Sequence, residues 1–172
     1  MIAVDSGLLV LAANRFSPEH VRATALLESL AEGEAPWAVT WSAVHEFLGF
    51  VTHPHAVARV LGATEAWGFI EALSGSSSLS LLGPTEHHAA SCAEVLALAG
   101  AGAAGVLDSG FATAVILREH GVRELLSFDP AMRRYPFLTV INPLRRDIEP
   151  GPRRRYRMLR SAVVRRGDRG SE

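Results

Sequence analysis

The chain has 172 residues, 48% of them hydrophobic, which suits a single domain with a substantial core. Its net charge of −1 conceals a segregation: 7 Arg face 14 acids up to Pro143, giving −7, and 10 Arg face 4 acids from Leu144 to Glu172, giving +6. Lysine is absent, which excludes a P-loop NTPase and phosphoaspartate chemistry. The single Cys92 excludes an intramolecular disulfide, and no apolar run approaches the roughly 18 residues of a membrane span.

Taken in chain order, Ile2–Val4 is expected as a buried strand and Leu8–Ala13 as a helix. Ser17-Pro18-Glu19 has the chemistry of a helix start, with Ser as cap, Pro in the first turn and Glu at the positive end. Gly33 ends that helix. Pro36–Thr40 follows as a strand, and Ser42 is placed to cap a helix carrying Glu46 that stops near His53-Pro54. A helix over Thr64–Leu73 closes at Gly75, and Leu79–Leu82 forms a strand. Thr85 caps a helix with Ala90, Val95 and Leu98 on its apolar side, and Gly100–Gly105 is a small-residue loop. Asp108–His120 is a helix stopped by Gly121, Glu124–Phe128 a strand, Pro130 a turn, and Leu138–Ile141 the last strand. Strands alternating with helices predict an α/β fold around a parallel sheet, whose sites form beyond the carboxyl ends of the strands. From Leu144 onward the chain is Arg-rich and broken by Pro and Gly. We expect a flexible basic tail over 144–172, either a solvated extension or an arm contacting nucleic-acid phosphates, with Tyr156 available to stack.

Four carboxylates stand out: Asp5, Glu46, Asp108 and Asp129. Asp5 closes Met1-Ile-Ala-Val, Asp129 follows Leu125-Leu-Ser-Phe, Asp108 opens an Ala-rich stretch, and Glu46 interrupts an apolar helix. Charges rarely enter such surroundings unless paired or bound to metal. Acids converging on one sheet edge repel each other, and a divalent cation removes that repulsion; oxygen-only ligands suit Mg²⁺ or Mn²⁺. The residues alone thus point to a metal-dependent phosphodiester hydrolase. Asp108 also fits a plain N-cap. Ser6 and Ser127 could brace the acids, although each reads first as an ordinary structural serine.

Other features carry less. Gly100-Ala-Gly-Ala-Ala-Gly105 matches a dinucleotide-binding pattern but follows a helix instead of a strand. His45-Glu46 lacks the second His of a zinc-protease helix. His53/His55 and His87/His88 have no matched second pair and read as loop or helix-start histidines. Cys92 sits in a helical pattern without an organised base and is expected buried and inert.

Val4-Asp5-Ser-Gly-Leu-Leu-Val10, Glu46 within Ser42–Leu48, Leu107-Asp108 with Ala112 and Ala114, and Ser127-Phe-Asp129 followed by Arg134-Tyr-Pro136 and Asn142-Pro143 together resemble the PIN domain. More closely they resemble the toxin ribonucleases of VapBC toxin–antitoxin pairs. The resemblance spans residues 1–143 as one nuclease domain. It implies a three-layer α/β/α fold and a Mg²⁺- or Mn²⁺-dependent endoribonuclease whose catalytic, metal-holding acids are Asp5, Glu46, Asp108 and Asp129. It also implies an RNA substrate, a cognate antitoxin and a homodimer; the lone cysteine and the lack of a signal-peptide pattern or membrane span separately lead us to expect a cytoplasmic location. The sequence departs from the family pattern at Gly7, where Asn is usual, at Leu107, where His or Thr is usual, and at Ala131, where a further acid is usual. The last departure motivates an alternative: a weakly active or inactive PIN-fold module that binds RNA or antitoxin. A nuclease acting on DNA, or a phosphatase, is the third reading.

Overall fold

The computed structural model describes residues 1–57, 59–99 and 109–144. Within them lie strands β1 (Ile2–Val4), β2 (Trp37–Thr40), β3 (Leu79–Leu82), β4 (Glu124–Leu126) and β5 (Thr139–Ile141). The helices are α1 (Ser6–Ala13), α2 (His20–Glu32), α3 (Trp41–Val51), α4 (Ala63–Ser74), α5 (His88–Ala99) and α6 (Ser109–Glu119), with a 3₁₀ turn over Pro130–Arg134. The strands form one five-stranded sheet in the order β3-β2-β1-β4-β5. Every pairing is parallel, with Ala3 opposite Ala38 on one side and Leu125 on the other.

The pleat sorts side chains into two cores. Val4, Trp37, Val39 and Leu126 pack beneath helices α1 to α4, together with Leu8, Phe47 and Ile70. Ala3, Ala38 and Leu125 face the opposite way, against Val95 of α5 and Val115 of α6. Both faces of the central strands are covered, so those strands are apolar without alternation, as buried parallel strands are. The result is the three-layer α/β/α arrangement, with helices on both faces of an all-parallel sheet. Among the described residues no helix is long and apolar enough to cross a membrane.

Several local expectations change. α2 begins at His20, and its cap position is Glu19, whose side chain makes no capping bond. Ser17 Oγ instead accepts from Glu19 N at 3.2 Å, so Ser17-Pro18 builds the turn before the helix. α3 is capped by Thr40, the last residue of β2, which accepts from Ala43 N at 3.2 Å. Ser42 lies inside the first turn. On α5 the inward side is Val95 with Cys92 and Ala99. Ala90 is exposed and Leu98 is 42% exposed, so neither belongs to the apolar face assigned to them. β4 stops at Leu126, two residues short of the expected end. Gly121, at φ +66°, ends α6 in the left-handed region that suits glycine. The Gly100–Gly105 loop, Asp108 and the Arg-rich segment 145–172 lie outside the described residues.

Candidate active site

The sheet order reverses direction between β1 and β4, and in open parallel sheets the crevice beyond the carboxyl ends of such a pair is where ligands bind. Asp5 follows β1, and Ser127 and Asp129 follow β4, so the two chain segments meet at that crevice. The Asp5 amide extends the ladder by donating to Leu126 O at 3.1 Å, and Ser127 N donates to Ile141 O at 3.0 Å.

Asp5 is 9% exposed and caps α1. Its Oδ1 accepts from Ser6 N at 2.9 Å, and its Oδ2 accepts from Ser127 Oγ at 2.5 Å. Ser6 Oγ donates to Glu46 Oε2 at 2.7 Å, tying the second acid, one turn into α3, to the same point. Ser127 Oγ in turn accepts from Asp129 N at 3.0 Å. Asp129 caps the 3₁₀ turn, its Oδ1 accepting from Ala131 N at 2.8 Å. The two serines therefore brace the acids: Ser6 links Asp5 to Glu46, and Ser127 links Asp5 to Asp129. Sequence reasoning weighed both serines as structural. Their position directly after the β1 acid and two residues before Asp129 was the available signal.

Burial pushes the Asp5 carboxyl above its ordinary value; the Ser127 and Ser6 hydrogen bonds oppose that rise, and the charges of Glu46 and Asp129 add to it. Asp5, Glu46 and Asp129 thus share one field and line one cavity of about 190 Å³, with Ser6, Gly7 and Gly110 beside them. The start of α6 is fixed near this cavity by three hydroxyls. Ser42 Oγ lies 2.8 Å from Thr113 Oγ1 and 2.9 Å from Thr40 Oγ1, and the two threonines are 3.3 Å apart.

The donor set is oxygen only and mutually repulsive, which suits a hard divalent cation. Among the described residues, no three His, Cys, Asp or Glu side chains meet closely enough to hold a metal ion by themselves. Three of the four acids singled out from sequence nevertheless line the same cavity, and the fourth, Asp108, lies outside the described residues. The histidines do not join them: His53 and His55 pack ring against ring, and His88 lies 3.0 Å from Glu119.

No protein-family model matches the chain. No curated protein matches it either. Solved structures do match in fold. VapBC2 from Rickettsia felis, bound to a DNA fragment from its promoter, superposes with a TM-score of 0.59 at 14% identity, over 82% of this chain and 98% of that one. VapC20 of Mycobacterium tuberculosis, a sarcin-ricin loop cleaving toxin, gives 0.57 at 14% identity over 77% and 93%. FitAcB from Neisseria gonorrhoeae gives 0.56 at 19% identity over 83% and 98%. The likeness establishes the fold as PIN-like.

Proposed function

We propose that the protein is a Mg²⁺- or Mn²⁺-dependent endoribonuclease acting as the toxin of a toxin–antitoxin pair. The observation that carries this reading is Asp5: a nearly buried carboxylate at the sheet's reversal point, clamped on both oxygens, raised in pKa first by burial, and sharing one cavity with Glu46 and Asp129. A protein does not ordinarily hold repelling carboxylates beside an open cavity unless something cationic is to be placed among them. Asp5, Glu46 and Asp129, together with Asp108, would hold the cation. When bound, it would supply Lewis acidity for phosphodiester hydrolysis. The chain's own residues orient the donors: Ser127 and the Ser6 amide fix both Asp5 oxygens, and Ser6 Oγ turns Glu46 toward Asp5.

The partner follows from the fold neighbours, which include a VapBC complex on promoter DNA. We assign a cognate antitoxin to this chain on that basis; RNA as substrate and a homodimer as assembly are part of the same proposal and come from the sequence resemblance. An antitoxin guanidinium among the acids would replace the cation's charge. A binding module of weak or no activity is the second reading. Its support is Ala131, which offers Asp129 a backbone N–H and no further carboxylate.

Incubation of cellular RNA with purified protein and Mg²⁺ or Mn²⁺, beside an Asp5→Asn control, tests the proposal. Discrete fragments requiring both metal and Asp5 are expected. Intact RNA together with calorimetrically silent Mn²⁺ would replace the nuclease with the binding module.

A further inference from the structure

Beside the acid cavity runs a second, larger hollow of about 400 Å³, and the two share Ser6, Gly7, Glu46 and Phe128 as walls. Away from the acids its lining turns apolar, through Val10, Leu11 and Phe50. Phe128 stands on the shared wall. Its chain neighbours Ser127 and Asp129 both belong to the acid site, yet Phe128 as a residue is 39% exposed. The ring rests directly against Gly7. A Cβ at position 7 would lie 2.6 Å from Phe128 Cζ and 2.9 Å from Cε2, closer than real contacts allow. The ring can occupy this place only because residue 7 has no side chain.

An exposed aromatic ring, seated against backbone between a cluster of acids and an apolar trough, has a definite chemical use if the acids work on a phosphodiester. Of the parts of an RNA strand only the base has an apolar face. A strand whose phosphate reaches the acids must send an adjacent base to one side or the other. We propose that Phe128, seated on Gly7, is the stacking platform for an unpaired nucleobase next to the phosphate at the acid cavity. The inference rests on the nuclease reading above and adds to it the residue that would hold the base beside the reacting phosphate. Stacking needs an unstacked, splayed base, which a duplex does not offer. It tolerates any base, because each has a π face. A ring already held against Gly7 loses little freedom on stacking, which makes it an efficient platform.

The test is binding of a short single-stranded RNA carrying 2-aminopurine at successive positions, titrated with full-length protein in a chelator so that metal-dependent cleavage is off. Cleavage of the same RNA in Mn²⁺ is followed separately. Wild type should quench the probe most strongly at one position adjacent to the bond that is cut. Phe128→Ala should abolish that quenching and weaken binding about 5- to 150-fold, the range for loss of one stacked base. Phe128→Leu keeps apolar bulk without a π face and should lose the quenching as well, whereas Phe128→Trp should restore it. A role of Phe128 in mere packing would leave the Leu variant equal to wild type. Equal RNA affinity across all four proteins, or no position-specific quenching by wild type, overturns the proposal and gives the trough to a protein segment. Quenching without any Mn²⁺-dependent cleavage would instead overturn the nuclease reading while leaving the stacking site in place.

Discussion

Removing the Ser127 hydroxyl should destabilise the protein by an amount that depends on pH. Ser127 is 2% exposed and its Oγ serves two partners, donating to Asp5 Oδ2 at 2.5 Å and accepting from Asp129 N at 3.0 Å. Asp129 is exposed, so in Ser127→Ala water can satisfy its amide. Asp5 Oδ2 is buried and has no such recourse. The loss is therefore close to that of one hydrogen bond to a buried charge, about 1.5–3 kcal/mol, while Asp5 is ionised. With Asp5 protonated the lost bond is a neutral one and the loss should fall to about 0.5–1.5 kcal/mol. The direction of the pH effect follows from the raised folded pKa of Asp5, caused first by burial and then by Glu46 and Asp129. A carboxyl raised in the folded state favours folding below its unfolded value, ordinarily 3.8, and loses that contribution as pH rises through the folded value. The Ser127 bond limits that loss because it favours the ionised form, so deleting it enlarges the loss on the alkaline side. Urea denaturation of wild type and Ser127→Ala at neutral pH and at successive steps down toward 3.8, with chelator present, reads the difference directly. A difference below about 0.5 kcal/mol at neutral pH, or one that does not shrink in acid, would refute the clamp.

Four further outcomes follow from the same geometry. Asp5→Asn removes a buried charge and its repulsion from Glu46 and Asp129, so in chelator at neutral pH its urea midpoint should equal or exceed that of wild type, with the advantage fading in acid. Mn²⁺ should then raise the melting temperature of wild type, by up to about 2.7 kcal/mol of stability at a hundredfold excess over Kd, and leave Asp5→Asn unmoved; equal shifts in both would remove Asp5 from the cation site. Gly7→Ala should leave stability within about 1 kcal/mol of wild type, since the helix gains about 1 kcal/mol and displacing the Phe128 ring costs about 0.5–1.5 kcal/mol, while RNA affinity falls. Unchanged affinity in that variant would mean that the ring's seat does not matter. His88→Ala should lower stability by about 1–3 kcal/mol in thermal or urea unfolding. The Glu119 side chain is fully buried, and among the described residues its Oε1 meets Thr85 and His88 while its Oε2 has no partner; an unchanged midpoint would show that His88 does not compensate that carboxylate.

The parts of this protein that were legible in its sequence are those where one residue type has one physical meaning. β1 and β2 were readable because strands buried on both faces are apolar along their length, as Ile2–Val4 and Trp37–Val39 are. The helix starts were less so. Ser17, Ser42 and Thr40 all offer a hydroxyl, and only the fold decides which one meets an orphan amide. Thr40 wins for α3 because β2 delivers it, in extended conformation, at the end of the sheet. Ser42 is drawn aside to Thr113 instead. On α5 the apolar residues outnumber the places the core provides, so composition could not say that Val95 turns inward and Leu98 outward.

The site divides along the same line. Asp5, Glu46 and Asp129 announce themselves because a charge in apolar surroundings carries a free-energy cost that needs an explanation wherever it occurs. Ser127 and Phe128 carry no such cost as isolated residues. One is a small polar residue at a strand end and the other a hydrophobic residue of the kind every core contains. Their roles arise from contacts made across the fold, Ser127 with Asp5 and Phe128 with Gly7, and neither contact leaves a local trace. The consequence for this chain is specific. The acids that line its cavity stand out in the sequence, whereas the contacts of Ser127 and Phe128 beside them are visible only in the structure. Gly7 illustrates the point. Against the resemblance it is only a departure from the usual Asn. In three dimensions it is the seat that admits the Phe128 ring to the wall of the acid cavity.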